Sequence, residues 1–345
     1  MRSERPKPLH RLCGRPMLMY VMDAVSGAGV DHAVVVVGHK AELVTKKLNE
    51  QRLDLRIDFV EQAIQRGTGD AVLVSLVAVP DESEDHDVLV LPGDSPLLRA
   101  GTLRNLIEQH RASGAAATML TARMEDPTGY GRVIRNKAGT VARVVEQRDA
   151  SEEELSVNEV NTSIYVFRRS LLAPALRRIE PDNAQGEYYL TDVIEVLAGA
   201  GHKVDSLVVI DAEEVQGIND RVQLAGAEVE LRRRTNEALL RSGVTMVDPD
   251  AVYIDTTVQI GGDVTLFPGV ILQGSTIIGS GTEVGPNVHL IDTVIGENCV
   301  VRSTSGESAV VGSGSTVGPF ASLPPGSEVP SDCVTGSFYT AEVSG

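Results

Sequence analysis

In the stretch that begins IDTTVQIGGDVTLFPGVI, aliphatic residues return every six positions: Ile254, Ile260, Leu266, Leu272, Ile278 and Val284 stand in phase, with small or polar residues between them. Six consecutive matches in register are the signature of a parallel β-helix. Each short strand forms one side of a coil there, and the aliphatic residue points inside.

The first 221 residues obey a different rule. HAVVVVG (32–38), LRIDFV (55–60), DVLVLPGD (87–94) and AAATML (115–120) read as buried strands, rich in apolar residues and closed by turn formers. PMLMYVMDAVSGAG, KAELVTKKLNEQ and GTLRNLIEQHRASG have helical spacing with Gly or polar stops. Strands alternating with helices predict an α/β region built on a mostly parallel sheet covered on both faces. Between the two regions, residues 220–242 contain no Pro and one Gly and predict a connecting helix.

Charge narrows the partners. The chain carries 48 acidic against 31 basic residues, which argues against nucleic acid, because phosphate backbones call for a basic face. No apolar run approaches the roughly 18 residues of a membrane helix, and Arg11 and Arg15 interrupt any secretory core near the start. Cys13, Cys299 and Cys333 are far apart and odd in number, so neither a disulfide framework nor a zinc site is expected, and a reducing cytoplasm fits. Arg2, Arg5, Lys7, Arg11 and Arg15 nevertheless crowd the opening with one acid, Glu4, as suits a small anionic ligand.

Several short motifs can carry chemistry. QRGTGDA (65–71) precedes a helical run, and its glycines let backbone N–H groups approach a phosphate or base; taken alone it reads first as a strand-to-helix turn. Asp94 ends an apolar strand in LPGDSPLL, where ligands of α/β sheets collect, so it suits a magnesium ion, while a helix cap explains it equally well. DPTGYGRV (126–133), VVEQRDA (144–150) and VNTSIYVF (160–167), each of which alone reads equally as an ordinary hairpin or strand, complete an ordered set with NAQGEYYLTD (183–192) and VQGINDR (215–221). His289 stands alone in PNVHLID and reads as an occupant of a coil turn, and Cys299 and Cys333 read as small coil fillers.

That ordered set, followed by a hexapeptide helix, resembles the bacterial N-acetylglucosamine-1-phosphate uridyltransferase/glucosamine-1-phosphate acetyltransferase family, from Met1 to about Phe338. The resemblance implies a Rossmann-like nucleotidyltransferase domain over residues 1–219, a linker helix over 220–246, a shortened left-handed β-helix over 247–345, and a homotrimer. It implies that UTP and N-acetylglucosamine 1-phosphate react with Mg²⁺ to give UDP-N-acetylglucosamine for cell-wall precursors. By the same resemblance Lys7 contacts the nucleotide phosphates, and Gln62, Gly67 and Thr68 read uracil. Asp94 and Asn219 hold the metal, and Gly131, Glu146, Asn161 and Thr162 hold the N-acetylglucosamine moiety.

Two departures stand out. The family places LAAGxGTR directly before the position of Met1, so the expectation is that a strand and the glycine-rich half of the triphosphate loop belong upstream and that their loss impairs UTP binding. Later coils carry the family's acetyltransferase residues, and Pro324 stands where an arginine of that site is usual, so acetyltransferase activity is expected to be absent. Two rival expectations remain: a non-catalytic sugar-nucleotide-binding homologue, and a nucleotidyltransferase for another hexose 1-phosphate.

Overall fold

The computed structural model describes every residue except 2, 39, 51–52, 80–85 and 343–345. Arg2 of the basic opening and Gln51 of the second expected helix therefore lie outside the described residues. The chain divides into two compact units, one of Met1–His10 with Met17–Asn219 and one of Arg11–Pro16 with Asp220–Gly345.

The first unit contains strands β1 (His32–Val37), β2 (Arg56–Glu61), β3 (Asp87–Val90), β4 (Ala117–Arg123), β5 (Arg132–Arg135), β6 (Val141–Val145), β7 (Glu159–Arg168) and β8 (Val204–Val208). Its helices are α1 (Met17–Gly27), α2 (Ala41–Asn49), α3 (Thr68–Ser75), α4 (Ala100–Ser113), the one-turn α5 (Glu152–Leu155), α6 (Arg169–Leu176) and α7 (Asp192–Gly199). Six strands form one sheet in the order β8-β4-β7-β5-β6, with β3 also on β7, while β1 and β2 form a separate parallel pair.

The sheet is mixed, which corrects the mostly parallel arrangement expected from the sequence. β8 runs parallel to β4, but β3, β4 and β5 all run antiparallel to β7. The ten-residue β7 is buried at Glu159–Thr162 and Ile164–Phe167, so it shows no alternation of polar and apolar residues. Asn161, Thr162 and Ser163 also interrupt its apolar run, and the strand that VNTSIYVF allows proves to be the central one of the sheet.

Helices cover both faces of this sheet. Met119, Tyr165 and Phe167 meet Leu172 and Leu176 of α6 and Ile194 and Leu197 of α7 on one side. Leu120, Ile164 and Val166 meet Leu103 and Leu106 of α4 and Ala24 and Val25 of α1 on the other. Since neighbours along a strand point to opposite faces, this division follows directly from the residue order. A second stripe of α1, from Leu18 to Met22, packs with Val37 of β1 and Val44 and Leu48 of α2.

The second unit holds α8 (Arg221–Arg241), started by Asp220, whose carboxylate accepts from the N–H groups of Val222 and Gln223 at 2.9 and 2.8 Å. The hairpin Arg11–Pro16 packs in this unit, where the Cys13 N–H donates to Glu228 of α8 at 2.9 Å. Beyond α8 three five-stranded parallel sheets form the sides of a β-helix. Leu266, Val284, Val301 and Val317 stack inside one side, and Ile260, Ile278, Ile295, Val311 and Val329 inside another. The third side stacks Ile254, Leu272, Leu290, Gly306 and Leu323. From Leu290 onward some steps shorten to five residues, as from Leu290 to Ile295, so a strict period of six loses the later coils. Cys299 is 1% exposed in a corner between Thr282 and Ser315 and its N–H donates to the Thr282 hydroxyl, so it acts as a coil filler.

Candidate functional site

The loops after β2, β3 and β8 carry Gln62, Asp94 and Asn219. The ligands expected for a metal come together: the Lys7 ammonium donates to Asp94 Oδ2 and, at 2.7 Å, to Asn219 Oδ1. The Ile218 N–H donates to the Asp94 carbonyl at 3.0 Å, which seats the 217–219 loop against the end of β3. A Cβ on Gly217 would lie 3.5 Å from Asp94 Oδ1, so a larger residue there would crowd the carboxylate. Both side-chain oxygens thus converge on one cation. Asp94 makes an ion pair here rather than capping the helix that follows, and Arg99 is the N-cap of α4. Among the described residues no three His, Cys, Asp or Glu side chains cluster as a metal site, and of the two oxygens that converge here the Asp94 one is anionic. A hard divalent cation that also takes phosphate oxygens suits that donor set.

The loop 62–70 is folded on itself. Gln62 Nε2 donates to the Gly67 carbonyl at 3.2 Å and to Asp70 Oδ2 at 2.7 Å. Gly67 has φ +111°, and a Cβ there would come within 2.6 Å of the Tyr188 carbonyl, so the close passage of two backbones requires glycine. Thr68 accepts from the Leu190 N–H at 3.0 Å, and the Gly69 N–H donates to the Tyr188 carbonyl at 2.8 Å. Segment 188–190 therefore fixes the loop from its far side.

Gly131, Glu146 and Asn161 also meet. A Cβ on Gly131 would sit 3.4 Å from both Glu146 carboxylate oxygens, and the Asn161 N–H donates to the Gly131 carbonyl at 2.9 Å. Thr191 donates to Glu146 Oε1 at 3.4 Å, linking this group to the segment that holds Thr68. Burial is the main reason that the Glu146 carboxyl titrates above the ordinary glutamate range, with Asp149 and Asp192 adding to it against the Thr191 bond. Asp192, pushed up to about 6 by burial and then by Glu195 and Asp149, lies beside it. Thr162 behaves differently. Its hydroxyl is buried and donates to the Leu120 carbonyl at 2.7 Å, so the side chain is engaged by β4.

A bulge explains why neighbours on β7 diverge. Leu120 pairs with Ile164 but Thr121 pairs with Asn161, leaving Thr162 and Ser163 extra, with Ser163 at φ +61°. Such a bulge re-aims side chains within a strand.

The sequence did not single out Tyr130, Asp70, Gly217 or Thr191. Tyr130, in the PTGYGR turn, has its phenol directed toward the Gly217 N–H, and burial followed by the charge of Asp94 raises its pKa. A tyrosine between two glycines in a loop was the available signal.

Residues 2–212 match the nucleotidyl transferase family model. The chain is 44% identical over 329 residues to the bifunctional protein GlmU of Caldanaerobacter subterraneus subsp. tengcongensis, covering 95% of this chain and 70% of that protein. It is 43% identical over 344 residues to the bifunctional protein GlmU of Carboxydothermus hydrogenoformans, covering 100% of this chain and 75% of that protein. Among solved structures it resembles UDP-glucose pyrophosphorylase complexed with UDP-glucose, at 14% identity and a TM-score of 0.51, over 66% of this chain and 91% of that one. At that identity the likeness concerns the fold.

Proposed function

Because the chain belongs to the GlmU family of nucleotidyltransferases, we propose that it joins UTP to N-acetylglucosamine 1-phosphate, giving UDP-N-acetylglucosamine and pyrophosphate for cell-wall precursor synthesis. The observation that carries this reading is the convergence of Asp94 and Asn219 on a single cation at the end of β3. In that place the Lys7 ammonium is a stand-in for Mg²⁺, and the two oxygens fit such an ion. When bound, the metal neutralises charge on the phosphates.

The protein's own residues supply position and charge. A phosphate oxygen of the sugar 1-phosphate forms a bond to the α-phosphorus of UTP while the bond to pyrophosphate breaks. The attacking oxygen is anionic at neutral pH, so no protein base has to remove a proton. Lys7 moves onto the phosphates and balances their charge, Gln62 with Gly67 and Thr68 orients uracil, and Glu146, Gly131 and Asn161 hold the sugar. Thr162 contributes by shaping the bulge beside Asn161.

The test is turnover of UTP with N-acetylglucosamine 1-phosphate, read as pyrophosphate release. Gln62→Ala should weaken UTP binding by about tenfold, in keeping with the roughly 1–3 kcal/mol lost when a buried polar partner is removed. It should also relax discrimination between UTP and CTP. Turnover confined to glucose 1-phosphate, or a Gln62→Ala variant altered only toward the sugar, would overturn the assignment.

The working particle in this reading is a cytoplasmic homotrimer, with residues 1–219 as the transferase domain, 220–246 as the linker and 247–345 as a left-handed β-helix. No helix among the described residues is long and apolar enough to cross a membrane, and the three cysteines are free thiols. Ile277, Val294 and Val310 pair in register, half-exposed, along one outer side of the β-helix, an apolar stripe suited to a neighbouring chain. Light scattering should give three times the monomer mass, and a monomer at all concentrations would exclude the trimer.

A further inference from the structure

Arg132 is 2% exposed, yet among the described residues no carboxylate lies within ion-pair distance of it, and its Nε has no hydrogen-bond partner. Three residues along, Arg135 shows the usual solution, with two nitrogens on Glu159 at 2.9 and 2.6 Å. The Asp126 carboxylate feels the Arg132 charge without pairing with it, so burial of this guanidinium is only partly offset and remains costly. The bond that Arg132 does make is specific: Nη1 donates to the carbonyl of Tyr130.

Tyr130 stands between two loops. Its own N–H donates to the Pro127 carbonyl at 3.2 Å, closing the turn that presents Gly131. Its ring packs in the cluster that contains Leu91 and Leu98, on either side of Asp94, and Val215, just before Gly217. Its hydroxyl faces the Gly217 N–H. Gly217 lies against the Asp94 carboxylate, and the next N–H, from Ile218, holds the Asp94 carbonyl. A continuous set of contacts therefore runs from Arg132 through Tyr130 to the loop that carries Asn219.

We propose that Tyr130, held by Arg132, is a positioning residue that latches the loop of Gly131 to the loop of Asn219, so that the sugar-side loop sets the spacing of Asn219 and Asp94. The proposal rests on the uridylyl-transfer reading above. Tyr130 acts through Gly217 and Asp94, without itself binding the metal.

Tyr130→Phe keeps the ring in its cluster and removes the hydroxyl. A misplacement of about 1 Å at a distance from the reacting atoms can cost roughly 100-fold in rate, so kcat should fall between about 10-fold and 100-fold. KM for both substrates should stay within about threefold, the pattern of an interaction realised in the transition state. The second readout is Mn²⁺ binding to the UTP-loaded protein, followed by the electron paramagnetic resonance signal of free Mn²⁺. Its affinity should drop several-fold, with the melting temperature nearly unchanged. Arg132→Met should give the same split, and the double variant should be no worse than the more affected single one, because the two act through one contact. Should Arg132→Met fail to fold, the Tyr130→Phe comparison decides alone.

Wild-type kcat and Mn²⁺ affinity in Tyr130→Phe would overturn the latch, and so would a lower melting temperature with Mn²⁺ affinity intact. A wild-type protein that ignores N-acetylglucosamine 1-phosphate would remove the sugar assignment instead. The Mn²⁺ comparison with UTP alone would still read the latch.

Discussion

Asp94→Ala should lower turnover by at least about 10³-fold, with secondary structure and melting temperature close to wild type, because in the proposed reaction the metal would lose its charged protein ligand and the chemistry would depend on charge neutralisation. Asp94 is partly exposed and its carboxylate pairs with Lys7, so its removal opens no cavity in the core. Lys7 and Asn219 would keep each other, but an ammonium and an amide oxygen cannot replace an anionic ligand for a divalent cation. Asp94→Asn sharpens the test. It preserves volume and one acceptor oxygen while deleting the charge, and it should fall nearly as far as Asp94→Ala. Pyrophosphate release within tenfold of wild type in both variants would show that the metal is held elsewhere. High Mg²⁺ should recover part of the activity of Asp94→Asn, since weakened binding yields to mass action.

The route from sequence to this site was uneven, for physical reasons. The β-helix was legible because its aliphatic residues obey a short repeat, and the slip after Leu290 marks where corner geometry begins to vary from coil to coil. Asp94 was legible from its place at the end of an apolar strand, and the structure brings it to Asn219, 125 positions later in the chain, through backbone bonding of Ile218. No local pattern reports such a meeting. The direction of β7 was hidden because antiparallel pairing with β3 and β4 is a property of the whole sheet and leaves no mark in the strand's own residues. Thr162 shows the same limit. A motif can place a residue next to a ligand, but only the bulge reveals that its hydroxyl is engaged by Leu120. Tyr130 and Arg132 were invisible to spacing, since the significance of Arg132 lies in its burial and in its bond to the Tyr130 carbonyl.

The largest expected loss of stability lies in the β-helix, at Leu290. This side chain is fully buried between Leu272 and the Gly306 coil, and Gly306 is the one position in its stack without a side chain. A Cβ at Gly306 would approach Leu290 Cδ2 to 3.0 Å and Leu323 Cβ to 3.5 Å, so Leu290 occupies the volume that the glycine leaves. Leu290→Ala should cost about 2–5 kcal/mol, from lost burial and the cavity left behind, because the backbones of adjoining coils are fixed by parallel pairing and cannot close the space. Gly306→Ala alone should cost about 1 kcal/mol or less, since the leucine end must yield by a few tenths of an ångström while the unfolded chain loses freedom. The two changes should not add. With Leu290 shortened, the new methyl enters space already vacated, so the double variant should be more stable than the sum of the single effects by about 1 kcal/mol. Urea unfolding followed by circular dichroism at 25 °C gives each term. Strict additivity would mean that Leu290 and Gly306 do not share the same interior space, and that the stack is set by the coil backbones alone.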